Sequence, residues 1–120
     1  MAIIHVVMFA FEPLAPPEDI QGDSLLIWSN YQVCDRMLAL KDNCIHPESK
    51  KPYVKMAVGG KENSPEGLQN GLTHVFVSEF ENEQDREYYL KEDPAHLAFG
   101  KGLAGVVSRA QVVDFIPGVF

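Results

Sequence analysis

Three of the four histidines in this chain stand where the sequence predicts a protein core. His96 follows Asp93 and Pro94, a pair that predicts a helix cap and the first helical residue, so His96 falls in the first turn. His5 and His74 lie inside apolar runs that are typical of strands. An imidazole is costly to bury without a partner, and it is also the side chain that most often acts as a general base. These residues indicate proton transfer on a bound small molecule.

His96 has a physical reason to act as a base. The N-terminus of a helix carries positive partial charge, which disfavours a second positive charge on imidazole and lowers its pKa. A neutral His96 could remove a proton from the carbon next to a carbonyl, while Tyr89 or another histidine polarises that carbonyl. The structural alternative is that His96 hydrogen-bonds to a strand carbonyl or a side chain and so joins helix to sheet.

His5 and His74 allow three interpretations. Each is a core histidine whose ring nitrogens have hydrogen-bond partners, a residue that lines a small-molecule pocket, or a metal ligand that completes a site with His96. The separations of the three histidines lack the spacing of a metal-ligand motif, and Asp93 is better explained as a cap. The prediction is therefore a site without a metal and without a cofactor.

Hydropathy and breaker residues predict strands at 3–11, 53–58, 72–80 and 109–115, and helices at 16–43, 83–93 and 94–103. The first helix is expected to bury a stripe that repeats at steps of four and three: Ile20, Ser24, Ile27, Tyr31, Cys34 and Leu38. The order β-α-β-β-α-β, with the second helical segment broken at Pro94, is that of a ferredoxin-like α+β fold. Residues 1–120 are expected to form one domain.

Both faces of the first and third predicted strands are apolar. Helices cover only one face of such a sheet, which leaves the other face as an association surface. We expect a second copy of the chain to cover it, which predicts a homodimer packed sheet against sheet. A ligand pocket then lies between sheet and helices or at the dimer seam. Val7, Phe9 and Phe76 share strand faces with His5 and His74, and they are expected to supply its apolar lining.

The chain carries a formal net charge of −7 at pH 7, from 17 acidic and 10 basic residues. Binding to nucleic acid or to an anionic membrane needs clustered lysine and arginine, so neither partner is expected. The two cysteines are too few for a disulfide framework, which favours a reducing, cytoplasmic location. The N-terminal apolar run alternates like a strand and lacks the basic start and cleavage site of a signal peptide.

Four segments of the chain, in order, resemble the stress-responsive A/B barrel family, whose members are dimeric α+β barrels. These segments are the start at 3–9, the strand at 73–77, the run at 93–96 with Phe99 and Gly100, and the closing strand at 112–115. The resemblance implies a ferredoxin-like protomer and a barrel-forming dimer, in agreement with the order of elements. It also makes Phe99 a candidate pocket residue.

Functions in this resembled family divide into two classes. One plant member has histidines at the positions of His5, His74 and His96, and it closes a polyketide chain without a cofactor, with the equivalent of His96 as its base. Its partner tyrosine corresponds to Leu90 here, which is therefore a candidate pocket residue. Tyr89 lies next to that position, about 100° around the helix, and is the candidate partner in its place. The resemblance thus implies a homodimer that binds a small apolar carbonyl or phenolic compound. Such a homodimer would act as a cofactor-independent lyase or cyclase. The alternative is a non-catalytic, stress-induced protein whose stable dimer is the functional form.

Overall fold

The computed structural model describes residues 1–13 and 28–120. Within them the strands and helices follow the predicted order, with the third helix after the break at Pro94. Their bounds are β1 Ile3–Phe11, α1 Asn30–Asn43, β2 Ala57–Lys61, β3 His74–Phe80, α2 Glu83–Lys91, α3 Pro94–Gly102 and β4 Val107–Phe115. No helix of the described ranges is long and apolar enough to cross a membrane.

The described strands form one antiparallel sheet in the order β2-β3-β1-β4. This order confirms the predicted ferredoxin-like α+β fold. Burial alternates along β1, where Ile3, His5, Val7 and Phe9 are buried and the residues between them are partly exposed. One face of the sheet therefore carries the helices and the core, as the two-sided pattern of β1 predicts.

Helix α1 begins later than the sequence pattern predicts from the prolines near residue 16, which lie outside the described residues. Ser29 caps it: the Ser29 hydroxyl accepts from the backbone N–H of Gln32, and the Gln32 side chain accepts from the backbone N–H of Ser29. This reciprocal pair is a capping box, which satisfies two N–H groups that a helix start leaves without partners. The predicted end at residues 41–43 is confirmed, because the last helical residue is Asn43.

The buried face of α1 differs from the predicted stripe. Val33, Met37 and Leu40 are the buried residues of this helix, whereas Tyr31 is 64% exposed. Cys34 and the other predicted member within the helix are only half-buried, and the members at 20, 24 and 27 lie outside the described residues. Both stripes have helical spacing, so the spacing alone does not choose between them. Packing against the sheet and α3 makes that choice.

The second strand was also predicted in the wrong place. Tyr53 and Val54 are buried but precede the strand, which instead runs from Ala57 through two glycines to Lys61. Glycine is depleted in strands, so the sequence pattern does not predict a strand at β2. The structure gives a reason for Gly59: a Cβ atom there would overlap the ring of Phe76 on β3.

The helix break at Pro94 lies where the sequence predicts it. Asn82 caps α2, which ends at Lys91, two residues before the predicted end. Asp93 caps α3 with Pro94 in its first turn, so the predicted start of this helix is confirmed. The last strand starts at Val107, two residues earlier than predicted.

The other face of the sheet has no described helix against it. Strand register places eight apolar side chains larger than alanine on this open face: Ile4, Val6, Met8, Val58, Val75, Val77, Val113 and Phe115. Val58, Val113 and Phe115 remain about half exposed in the single chain. A contiguous apolar surface of this kind is typical of an interface between protein chains.

Candidate active site

The structure brings three predicted site residues together in one aromatic group, the His5–Tyr89–His96 cluster. The ring of His96 stacks on the ring of Tyr89, with centroids 3.9 Å apart and planes inclined by 24°. His5 meets the same tyrosine edge-on, at 5.8 Å and 78°. Tyr89 is only 1% exposed, so the cluster lies between the helices and the sheet.

Local structure fixes the position and the tautomer of His96. The Asp93 cap starts α3 one turn before it, and its ring reaches back so that Nδ1 lies 2.8 Å from the backbone oxygen of Tyr89. A carbonyl oxygen only accepts, so Nδ1 carries the hydrogen and Nε2 carries the free lone pair. No residue of the described ranges hydrogen-bonds to Nε2. This is the form that a general base requires.

The pKa of His96 is lowered from its ordinary value, as the sequence predicts, but mainly because the side chain is buried. The nearby His5 lowers the pKa further, whereas the hydrogen bond to the carbonyl of Tyr89 and the charge of Asp93 raise it. Burial likewise raises the pKa of the Tyr89 phenol, with smaller contributions from Cys44 and Asp93. At neutral pH the cluster therefore pairs a neutral imidazole with a protonated phenol that can donate.

The lowered pKa of His96 predicts a stability change with pH. Between its ordinary value of about 6.5 and the lower pKa of the folded state, the unfolded chain binds a proton that the folded chain does not. The free energy of unfolding should therefore fall as the pH drops below about 6.5, and level off below the folded-state pKa. Urea unfolding from pH 7.5 to pH 5 measures this fall.

The matched variant for the pH experiment is His96→Asn, whose amide can keep the hydrogen bond to Tyr89 but does not titrate. Its unfolding free energy should decline less than that of the wild type over the same pH range, because the contribution of His96 is gone. The pKa of His74 is also lowered by burial, but this histidine is present in both proteins and its effect cancels. Parallel pH curves would show that His96 does not carry the effect.

A carboxylate that the sequence analysis missed orients His5. The Nδ1 atom of His5 donates to Oδ1 of Asp114 at 2.7 Å, and the other oxygen of Asp114 accepts from Nη1 of Arg86 at 3.1 Å. Arg86 lies one turn before Tyr89 on α2, so both face the sheet. The available signal is a single acidic residue, Asp114, in the otherwise apolar end of β4.

Strand register shows that Asp114 and His5 belong to a row of side chains across the helix-covered face, here named the cross-sheet row. Asp114 of β4 pairs with His5 of β1, His5 pairs with Ser78 of β3, and Ser78 pairs with Ala57 of β2. Ser78 is 6% exposed, and its hydroxyl has no hydrogen-bond partner among the described residues. Ser78 is not among the predicted site residues, although a serine between Phe76 and Phe80 on a buried strand face is unusual in the sequence.

Asp93 is more than a cap, because its carboxylate is 1% exposed and anchors a buried polar group. One oxygen accepts from the backbone N–H groups of Ala95 and His96, at 2.9 and 3.4 Å. The other accepts from the hydroxyl of Tyr53 at 2.5 Å. Burial, the charge of Asp93 and a hydrogen bond to it raise the pKa of the Cys44 thiol to about 12. This group fixes the start of α3 and thereby the position of His96.

His74 does not join the other two histidines. It pairs with Phe9, four residues along β1 from His5, which is roughly 13 Å at the rise of a strand. Its ring packs edge-on against Phe11, and its Nδ1 atom lies 2.8 Å from the hydroxyl of Thr73. The metal site considered from His5, His74 and His96 is therefore not assembled. The described residues contain no group of three or more histidine, cysteine or acidic side chains that could hold a metal ion.

The residues predicted to line a pocket lie in four different places. Val7 and Phe9 are buried in the core, whereas Leu90 is 43% exposed on α2. Phe76 lines a narrow cleft that also contains Tyr89. Phe99 lines a wider cleft of about 320 Å³ between α1 and α3, where its ring packs on Trp28. One member of the cluster, Tyr89, thus lines the narrow cleft, and a pocket in which His96 meets a ligand stays a prediction.

Residues 3–117 match the family model of the Stress responsive A/B Barrel Domain. The chain belongs to this family. The resemblance seen in the sequence, and the fold that it implies, are thereby confirmed. Among curated proteins, the stress-response A/B barrel domain-containing protein HS1 of Arabidopsis thaliana is 36% identical over 58 residues, which is 48% of this chain. That match spans about half of the relative, or 52% of its length.

Solved structures of the family fold cover nearly all of the chain. A crystal structure of an Arabidopsis thaliana protein superposes with a TM-score of 0.75 at 26% identity, over 98% of this chain and 97% of that one. A hydroxynitrile lyase from Passiflora edulis gives a TM-score of 0.70 at 18% identity, over 99% and 96% of the two chains. Neighbours from Bacteroides fragilis and Thermobifida fusca, at 21% and 20% identity, are dimeric ferredoxin-like proteins.

Proposed function

We propose that this protein acts on a small apolar carbonyl or phenolic compound as a cofactor-independent lyase or cyclase, with His96 as the general base. The observation that carries the proposal is the fixed tautomer of His96. Its Nδ1 hydrogen is held by the backbone oxygen of Tyr89, while Nε2 keeps a lone pair that no described residue occupies. Burial lowers the pKa of the same ring, so it is neutral at physiological pH.

The proposed division of roles follows from the contacts within the cluster. Nε2 of His96 removes a proton from the carbon next to the carbonyl of the substrate, and no metal or cofactor is needed for this transfer. The phenol of Tyr89 donates to the carbonyl oxygen, where negative charge develops as the proton leaves. His5, oriented by Asp114, keeps a second imidazole beside this tyrosine. The Passiflora edulis neighbour is a lyase, which supports lyase chemistry on this fold.

We propose further that the functional form is a homodimer in which the open faces of two sheets pack together. The eight apolar side chains of the open face support this assembly, because a soluble monomer rarely exposes such a surface. Structural neighbours of this fold are dimeric.

Cys34 and Cys44 are both free, which supports a cytoplasmic location for the protein.

The proposed base predicts catalysed exchange of hydrogen on a simple ketone. In D₂O, proton NMR of 2-heptanone should show loss of the hydrogens next to the carbonyl at a rate proportional to enzyme concentration. His96→Asn keeps a donor for the carbonyl of Tyr89 but lacks Nε2, so the exchange rate should fall about 100-fold, the lower end of general-base effects.

A matched histidine is available as the control for this exchange. His46 lies in a surface turn, where its Nδ1 atom accepts from the backbone N–H groups of Glu48 and Ser49. In His46→Asn the side-chain oxygen can accept in the same way, so exchange should remain at the wild-type rate. The proposed function fails if the wild-type protein gives no exchange above the buffer rate, or if His96→Asn exchanges as fast as the wild type.

One observation favours the second candidate, a non-catalytic and stable dimer. The hydrogen bond from His96 to the backbone of Tyr89 joins α3 to α2, which is a structural role for this imidazole. The related Arabidopsis thaliana protein is a stress-response protein by name. Under this candidate His96→Asn leaves ketone exchange unchanged, so the exchange experiment separates the two.

A further inference from the structure

The wider cleft between α1 and α3 is lined by none of the three rings of the His5–Tyr89–His96 cluster. Its volume of about 320 Å³ falls at the lower end of the range for small-molecule pockets. Its apolar wall is formed by side chains of both helices: Leu40, Ala95, Ala98 and Phe99. Because both helices lie on the covered side of the sheet, the cleft stays open in the proposed dimer, which uses the opposite face.

A second wall of this cleft is the indole of Trp28, the single tryptophan of the chain. Its ring packs on the ring of Phe99, with centroids 5.8 Å apart, and it occupies the place that a Cβ atom on Gly102 would need. The indole therefore lies directly against the backbone of α3. A larger residue at position 102 would displace it, because close-packed side chains leave no room for an added carbon.

Arg36 is the only charged side chain among the described residues that line this cleft. Its guanidinium lies over the indole of Trp28, with Cζ 4.6 Å from the ring centroid, which is a cation–π contact. Within residues 1–13 and 28–120, no acidic side chain pairs with Arg36 and no group accepts from its N–H donors. The cleft thus combines a cation that has no acidic partner in those ranges with an apolar wall.

We propose that this cleft binds a small aromatic carboxylate, with the carboxylate on Arg36 and the aromatic ring against Leu40 and Phe99. The N–H groups of a guanidinium match the two oxygens of a carboxylate. An ion pair at an exposed position contributes little alone, so removal of the aromatic ring from water supplies the remaining affinity. The inference does not rest on the proposed function, because Arg36 and Trp28 take no part in that chemistry.

The test uses 3-phenylpropanoate and its neutral analogue 3-phenylpropanamide. Trp28 is the only tryptophan, so its fluorescence, excited at a wavelength that neither compound absorbs, reports on this cleft directly. The carboxylate should change the emission in a saturable way, with a dissociation constant on the order of 1 mM or below. The amide should bind about tenfold more weakly, because it lacks the charge-assisted hydrogen bonds.

Arg36→Met removes the guanidinium and keeps an unbranched side chain. It should weaken binding of 3-phenylpropanoate about tenfold and leave binding of the amide nearly unchanged, so the preference for the acid disappears. Lys41→Met is the matched control, because it removes the same charge from α1, while the Lys41 side chain lines the narrow cleft that contains Tyr89. This control should bind both compounds like the wild type.

Two glycines of α3 test the position of the indole. Gly102→Ala should displace Trp28, which shifts the emission of the free protein and weakens binding of 3-phenylpropanoate about three- to tenfold. Gly100→Ala is the control on the same helix, because a Cβ atom there meets nothing within 4 Å, and it should change neither property. Unchanged emission and affinity in Gly102→Ala would overturn the site, because the indole would then lie elsewhere.

Three further results contradict this proposal. The wild type gives no saturable change in emission up to about 10 mM 3-phenylpropanoate, or it binds the acid and the amide equally. The third is equal affinity of Arg36→Met and Lys41→Met for the acid. None of these results bears on His96 as a base, which the exchange of hydrogen on 2-heptanone tests separately.

Discussion

Replacing Asp93 by alanine is expected to lower the free energy of unfolding by about 3–5 kcal/mol, because several buried donors lose their acceptor together. The substitution removes the cap of α3 and the partner of the Tyr53 hydroxyl, both of them in the interior. Loss of a cap alone costs about 1 kcal/mol, and each unsatisfied buried group adds about 1–3 kcal/mol. Urea unfolding followed by circular dichroism measures the difference.

Asp93→Asn is the matched variant, because it keeps an oxygen for the N–H groups of Ala95 and His96. Its amide can donate to the oxygen of Tyr53, so the loss should be about 1–2 kcal/mol, well below that of the alanine variant. Equal losses for the two variants would mean that charge, and not the number of acceptors, holds this group together. A loss below about 1 kcal/mol for alanine would contradict the assigned role of Asp93.

Lysine in place of Val6 is expected to convert the proposed dimer to a monomer at micromolar concentration. Val6 lies at the middle of the open face, between Val77 of β3 and Val113 of β4. Each dimer would bury two unpaired ammonium groups, and each costs about 3 kcal/mol or more. The dissociation constant should therefore rise about 10⁴-fold, which sedimentation or light scattering detects directly.

The control for this interface is Leu90→Lys, which adds the same charge to a side chain that is 43% exposed on helix α2. It should leave the dimer intact, because α2 lies on the other side of the sheet. A monomeric wild type at the same concentration would refute the proposed assembly, and so would a Val6→Lys protein that remains dimeric.

The sequence was sufficient for features that depend on local periodicity. Alternation along β1 predicts which side chains share a face of the sheet, and Asp93 with Pro94 predicts the start of α3. These features hold because strand parity and helix capping are determined by residues near one another in the chain. The apolar open face follows from the same alternation.

Features that depend on packing could not be obtained in this way. The sequence contains two stripes of helical spacing on α1, and only contact with the core selects the one with Val33 and Met37. The pairing of His5 with Asp114 joins residues 109 positions apart, so no local pattern reveals it. Tyr89 is the predicted partner of His96, but its stacking on that ring depends on how α2 packs, which no local pattern gives.

The cross-sheet row also has a consequence for how β4 finds its place during folding. A strand that slips by one residue turns every side chain to the opposite face. For β4, such a slip would move the Asp114 carboxylate away from His5 and Arg86 and into the apolar open face, where it has no partner. A shifted alignment of this edge strand would therefore lose both partners of Asp114, and in the proposed dimer it would bury an unpaired charge, whereas its valines alone would tolerate the shift. The hydrogen bond between His5 and Asp114, which orients the imidazole in the folded protein, thus also favours the correct register of β4.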